Sequence, residues 1–201
     1  MAEALGAEFK SSGVTEKTPD NIPFGAGTIH KGLKFDSAGT KKWNFEESLV
    51  GATSGGSKFE IIPEIKQVEI DGVLVAVAEL DVKTGETASM EINFAELTPD
   101  IITAAIIGKS ENSEIEGYSM ITSKPDIKLG DYWENIAFVG KTLTGKPIIV
   151  IMDNALCTSG LSIEGKNKEA GVGKYTFRCS QKIGGDLTTL PYKIYYPTPA
   201  A

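Results

Sequence analysis

Apolar and polar side chains alternate along much of this chain, and a period of two marks strands with one face against a core and the other against water. The clearest run is Thr87-Ala88-Ser89-Met90-Glu91-Ile92-Asn93-Phe94, where Ala88, Met90, Ile92 and Phe94 point one way and Thr87, Ser89, Glu91 and Asn93 the other. Gln67-Val68-Glu69-Ile70 alternates in the same way, and Asp71-Gly72 supplies a two-residue turn into Val73-Leu74-Val75-Ala76-Val77. With Lys83-Thr84-Gly85-Glu86 as a further turn, Gln67 to Phe94 is predicted to be a three-stranded meander. Further strands are predicted at Gly27 to Phe35, Trp43 to Val50, Phe59 to Ile62, Trp133 to Val139, Ile148 to Met152, Leu161 to Ile163 and Tyr175 to Cys179. Short strands between glycine-rich turns imply a mainly β fold, a sandwich or barrel of two packed antiparallel sheets.

One helix interrupts this pattern, at about 98–108. Thr98 is its N-cap, Pro99 its first helical residue, Asp100 sits near the positive end of the dipole and Gly108 is the stop. Ile101, Ile102, Ala105 and Ile106 form an apolar stripe at helical spacing, so the helix is expected to lie against the sheets. The residues from Met1 to Ile22 are mostly polar or small and read as an N-terminal arm, and 197–201 read as a C-terminal tail. Between them 23–196 form a single β domain, with an inter-strand loop at 40–57.

Composition narrows the chemistry. With 201 residues, 41% of them apolar, the chain has enough material for a core without disulfides or metal. A net charge of −7 and a single arginine, Arg178, argue against a module that grips nucleic acid. Two cysteines and one histidine do not supply a usual zinc ligand set, and Cys157 and Cys179 read as buried thiols rather than a bridge. Met1-Ala2-Glu3-Ala4-Leu5 lacks the basic start and apolar run of a secretory signal, and no stretch has the apolar length of a membrane span, so synthesis in a cytoplasm without membrane association is expected.

The motifs that suggest catalysis fail on inspection. Gly51-Ala52-Thr53-Ser54-Gly55-Gly56-Ser57-Lys58 is glycine-rich like a phosphate-binding loop, but its lysine is displaced and a strand-like Phe59-Glu60-Ile61-Ile62 follows in place of a helix. His30 is the only histidine available to activate a nucleophile, and no Gly-x-Ser-x-Gly elbow accompanies it. Trp43 and Trp133 lie in strand-like segments where packing accounts for them. The expectation is a protein that is not an enzyme, with no catalytic, cofactor or metal residues.

The segment from Gly51-Ala-Thr-Ser-Gly-Gly-Ser-Lys-Phe59 through Asp71-Gly72 resembles the tail tube, or major tail, proteins of long-tailed bacteriophages, in which a Gly-Ala-Thr-x-Gly-Gly loop leads into a strand ending in an acidic residue and Asp-Gly. Ala88 to Phe94, then Glu96-Leu97-Thr98-Pro99 to Gly108, is similar to that family's following strand and helix, and Pro23-Phe24-Gly25-Ala26-Gly27 to its opening strand. The usual Lys-Gly before the central hairpin's return is replaced by Ala78-Glu79-Leu80. The resemblance implies a structural virion protein that assembles as stacked hexameric rings into a tube through which the genome leaves. Its implied partners are copies of itself and the tail initiator or baseplate, tape measure and tail terminator proteins, while DNA passes without specific binding. Gly51, Ala52, Thr53, Gly55 and Gly56 are the candidate inter-subunit loop. Glu69 and Glu91, opposite the apolar alternates of the meander, are the candidate lumen-facing carboxylates. Two other readings fit the same pattern: a β-sandwich binding module such as an adhesin or baseplate or spike accessory, and the inner tube of a contractile tail or phage-derived bacteriocin.

Overall fold

A computed structural model describes residues 12–165 and 167–198, so the first part of the expected arm and the end of the expected tail, 1–11 and 199–201, lie outside the described residues. The chain is mainly β. A one-turn helix α1 (Thr18–Asn21) precedes β1 (Pro23–His30), a second one-turn helix α2 (Phe45–Ser48), and the paired long strands β2 (Thr53–Gln67) and β3 (Asp81–Phe94). Helix α3 (Pro99–Ala105) and the short hairpin β4 (Gly108–Asn112) and β5 (Ser119–Ser123) follow, then β6 (Trp133–Thr142), β7 (Pro147–Cys157), β8 (Gly173–Cys179) and β9 (Tyr192–Tyr195).

Seven strands form one antiparallel sheet in the order β1-β6-β7-β8-β3-β2, with β9 added beside β7 where β8 leaves it; β4 and β5 form a small sheet of their own. The large sheet curls until its two ends, β1 and β2, lie near one another, and the layers of the sandwich are two halves of one curled sheet. Its concave face carries Ile29, Met90, Ile92, Trp133, Met152 and Phe177, closed over by Ile101, Ala104 and Ala105 of α3. A second, smaller cluster of Leu33, Ala137, Ile149 and Ile151 lies under Trp43 and Phe45, so β6 and β7 pack on both faces.

The alternation predicted for Thr87 to Phe94 is present, with Ala88, Met90, Ile92 and Phe94 buried. The helix is present too, and the Thr98 hydroxyl accepts a hydrogen bond from the Ile101 N–H at 3.3 Å as an N-cap. Its stop is not Gly108. The left-handed residue is Ile107, with φ 50°, whereas Gly108 opens β4, where a Cβ would lie 2.8 Å from the Thr122 carbonyl oxygen of the paired strand.

The meander does not form. Gln67 ends β2, and Val68 to Leu80 are a loop closed by the Val68 N–H donating to the Leu80 carbonyl. The Asp71-Gly72 turn exists, with Gly72 at φ +84° and the Val73 N–H donating to Ile70, but it sits at the tip of this loop. Lys83-Thr84-Gly85-Glu86 is no turn: the register shift there leaves Thr84 as the extra residue of a β-bulge, its hydroxyl donating to the Glu64 carbonyl. A bulge and a turn draw on the same small, polar residues, and only long-range pairing separates them.

Trp43 to Val50 also departs from expectation. Trp43 makes a single bridge to Phe35, and Phe45–Ser48 is helical, with Glu46 and Glu47 in its first turn where the helix dipole favours carboxylates. Leu161 to Ile163 are irregular, and β4, β5 and β9 were not expected. The first strand spans Pro23–His30, so it takes in Pro23 to Gly27 and ends short of the expected Phe35. Gly27 in it has φ +69°, and a Cβ there would lie 2.4 Å from the Phe138 ring, so the strand can cross β6 at that point only with glycine.

These packing relations separate load by position. Ile92→Ala is expected to destabilise the monomeric chain by about 2–5 kcal/mol, because the site is sealed and relaxes poorly. Val75→Ala, on the exposed loop, is expected to change stability by no more than about 0.5 kcal/mol. Urea denaturation of the two variants checks the pair.

Candidate interaction surface

Strand β3 is paired on both sides only over Ser89 to Phe94, with β8 on one flank and β2 on the other. Its first half, from Asp81 to Glu86, pairs with β2 alone, and β2 from Ile62 onward pairs with β3 alone. The hairpin therefore outruns the sheet that anchors it. In this distal part the alternating apolar residues have no core beneath them: Ile62, Val68, Ile70, Val73 and Val82 are exposed, Ile65 is 65% exposed, Val75 74% and Leu74 95%. A shallow apolar depression runs between Lys66–Glu69 and Val82 on the same hairpin. Each aliphatic side chain withdrawn from water here stabilises its complex by about 1.5–3 kcal/mol, less the cost of ordering it.

The sequence signal for this surface was available. A half-buried strand alternates, whereas Val73-Leu74-Val75-Ala76-Val77 is apolar at every position, and no partner strand exists for it among the described residues.

The glycine-rich segment belongs to the body of the fold. The Ala95 N–H donates to the Ala52 carbonyl, Thr53 opens β2 opposite Phe94, and Gly55 and Gly56, at φ +84° and +83°, form a bulge before pairing resumes at Ser57. The Asn93 side-chain amide donates to both glycine carbonyls, at 3.4 and 3.1 Å, and fixes the bulge. Gly51 faces Glu96, whose carboxylate lies 2.9 Å from where its Cβ would be. The expected loop at 40–57 is thus a helix, two isolated bridges and the start of an edge strand.

Glu69 and Glu91 are not brought onto one strand face. Glu91 is on the solvent side of β3, ion-paired to Lys174 of β8 at 2.9 Å and opposite Lys58 of β2. That outward face carries both signs of charge, and no carboxylate wall forms there. Glu69 lies on the loop beyond β2 and makes no ion pair among the described residues.

The residues considered for catalysis have structural roles. His30 is 3% exposed, with Nδ1 2.9 Å from the Ser48 hydroxyl and Nε2 2.9 Å from that of Thr28. The Ser48 hydroxyl donates to the Asn44 carbonyl, which assigns the ring proton to Nδ1 and makes Nε2 the acceptor from Thr28. The neutral ring is satisfied and holds α2 against β1. Lys58 is ion-paired to Glu60 at 2.7 Å. Cys157 and Cys179 are free and buried; burial pushes both thiols up, Cys179 to about 12 with the Asp153 charge adding to the effect. No cluster of metal-ligating side chains occurs among the described residues, and no described helix is long and apolar enough to cross a membrane. An open depression of ≈ 900 Å³ lies around Lys34 to Glu47, with Phe35, Trp43 and Phe45 on its floor. Tyr195 closes against Trp43 with ring centroids 5.2 Å apart.

No protein-family model matches the chain, and no curated protein matches it either.

Burial holds the His30 imidazole below its ordinary value of 6.5, with the Phe45 backbone carbonyl opposing the effect. The unfolded chain then binds the proton first, so His30 contributes stability that is complete above pH 6.5 and is lost as pH falls from there through the lower, folded value. Urea midpoints of the wild type are expected to drop between pH 7.5 and 5, and in His30→Gln the component due to this residue is expected to disappear.

Proposed function

We propose that this protein is a structural subunit that assembles with copies of itself into a tube, as the tail tube proteins of long-tailed phages do, in rings of six stacked around a genome conduit. The observation that carries the reading is the β2–β3 hairpin. It runs past its own sheet and presents Ile62, Ile65, Leu74, Val75 and Val82 to water. A chain that functions alone leaves apolar residues scattered over its surface, whereas a concentrated apolar protrusion calls for a protein partner.

On this reading the outward face of β2, β3 and β8, which carries Glu60 and Glu91 with Lys58, Lys174 and Arg178, is the candidate inner wall. Glu69 belongs to contacts between rings. Lys58 and Lys174 are engaged by Glu60 and Glu91, which weakens the attraction these two lysines offer to passing phosphates. Gly51 to Gly56 act at one remove, by setting the path of the edge strand.

A second reading, a β-sandwich binding module, is favoured by the aromatic depression at Phe35 and Trp43. The two readings differ in what the purified protein does as its concentration rises. The Gln67 and Asp81 register lets an Asn-Gly link replace Val68 to Leu80 without moving the strands. This deletion is expected to leave folding intact, with stability changed by no more than about 1 kcal/mol. It is expected to abolish the filaments that the wild type forms with a tail initiator, as seen by negative-stain microscopy and light scattering. Wild-type protein that stays monomeric under those conditions, or a deletion variant that still polymerises, overturns the proposal.

A further inference from the structure

The hairpin tip needs a receptor, and we infer that it is a second copy of this chain, at the surface formed by Ile22, Phe24, Leu143 and Tyr196. This rests on the reading of the protein as a self-assembling subunit and names the contact that reading leaves open. Charge decides the choice. Residues 62–82 carry Glu64, Glu69, Asp71, Glu79 and Asp81 against Lys66 alone, so the apolar tip is acidic. A matching receptor is apolar with a basic rim.

Most other exposed apolar surfaces fail this test. The aromatic depression at Phe35 and Trp43 has Lys34 and Lys42 against Asp36, Glu46 and Glu47. The turn of the β4–β5 hairpin, where Ile115 and Tyr118 are exposed, lies among Glu111, Glu114 and Glu116. Ile183 and Leu187 sit between Lys182, itself paired with Glu134, and Asp186.

The surface around Phe24 passes. The Leu143 N–H donates to the Ile22 carbonyl at 2.9 Å, Phe24 pairs with Lys141 across β1 and β6, and the Tyr196 hydroxyl donates to Asn21 at 3.2 Å. Four exposed apolar side chains from three segments are thus locked together, Phe24 with 58% of its surface in water. Lys17, Lys141 and Lys146 rim them, against Glu16 and Asp20. The Asp20 carboxylate is already engaged, by the Thr144 hydroxyl at 2.7 Å and Lys146 at 3.3 Å, whereas Lys17 and Lys141 make no ion pair among the described residues. Glu69, Asp71, Glu79 and Asp81 make none either, so both surfaces hold charge left unmatched among the described residues of their own copy.

Tip and receptor are different patches, so the contact is heterologous: each copy offers one of each, and where the rotation between copies does not close a ring the series stays open at both ends. That is the property a stack of indefinite length requires.

The test joins two differently tagged copies, Leu74→Cys in one and Phe24→Cys in the other, under mild oxidation at high concentration. The native cysteines are buried and do not compete. The mixed disulfide is expected to exceed, by about tenfold, that formed by Leu74→Cys with a Phe35→Cys control, the ratio that a preference of about 1.4 kcal/mol gives. In a parallel arm, Glu69→Lys with Asp71→Lys is expected to slow assembly, as is Lys17→Glu with Lys141→Glu, and mixing the two variants is expected to restore it. Filaments without the Leu74–Phe24 cross-link overturn this receptor and leave self-assembly standing. Neither filaments nor cross-link overturns both proposals. The cross-link without filaments supports the receptor and overturns the tube.

Discussion

Everything distinctive in this molecule depends on one mismatch of length: β3 is longer than the sheet it belongs to. Over Ser89 to Phe94 it is an inner strand, with β8 and β2 on its flanks and Met90 and Ile92 sealed in the core. Before that its sole partner is β2, and the pair runs on as a two-stranded ribbon. Isolated two-stranded ribbons are marginal in water, so this one persists because its base is clamped by the sheet. The clamp is specific. The Asn93 amide fastens the Gly55 and Gly56 bulge, and the Ala95 N–H binds the Ala52 carbonyl at the point where the hairpin enters the body.

The remaining elements support that base. Helix α3 closes the concave face beneath it, and the His30, Ser48 and Thr28 hydrogen bonds hold α2 in place just before β2 begins. Stability and presentation are therefore divided along the chain. Residues buried around Met90, Tyr175 and Phe177 supply the first, and the loop and distal ribbon supply the second at little cost to the fold, since they contribute no buried side chain to it.

Local pattern revealed the parts of the structure that obey local rules. The alternation of Thr87 to Phe94 and the capped start of α3 were legible because each needs only neighbouring residues to be recognised. The meander was not, because Lys83-Thr84-Gly85-Glu86 satisfies both a turn and a bulge, and the choice is made by β2, some twenty residues away in sequence. Trp43 to Val50 was misread for a related reason: its aromatic residues are buried by β6 and β7, not by a strand partner. The candidate surface was half legible. Gly55 and Gly56, expected in an inter-subunit loop, form a clamped bulge within the subunit, and Glu91, expected to face a lumen, is ion-paired to Lys174 on the solvent side of β3. The exposed tip was hidden inside a predicted strand, where apolar residues count as core.

The free edge of β2 bears on a hazard that any abundant chain of this kind meets in the cell that makes it. Newly made copies at high concentration can zip their edges together in the wrong register and precipitate. Here Pro63 withholds a backbone donor at the middle of the edge, and bulges distort it before Ser57 and after Glu64. What is left is Ser57 to Ile62 and Glu64 to Gln67, two strips too short to hold a mistaken partner for long. Such an edge releases mistaken partners quickly, and any lasting contact between copies must then come from other surfaces.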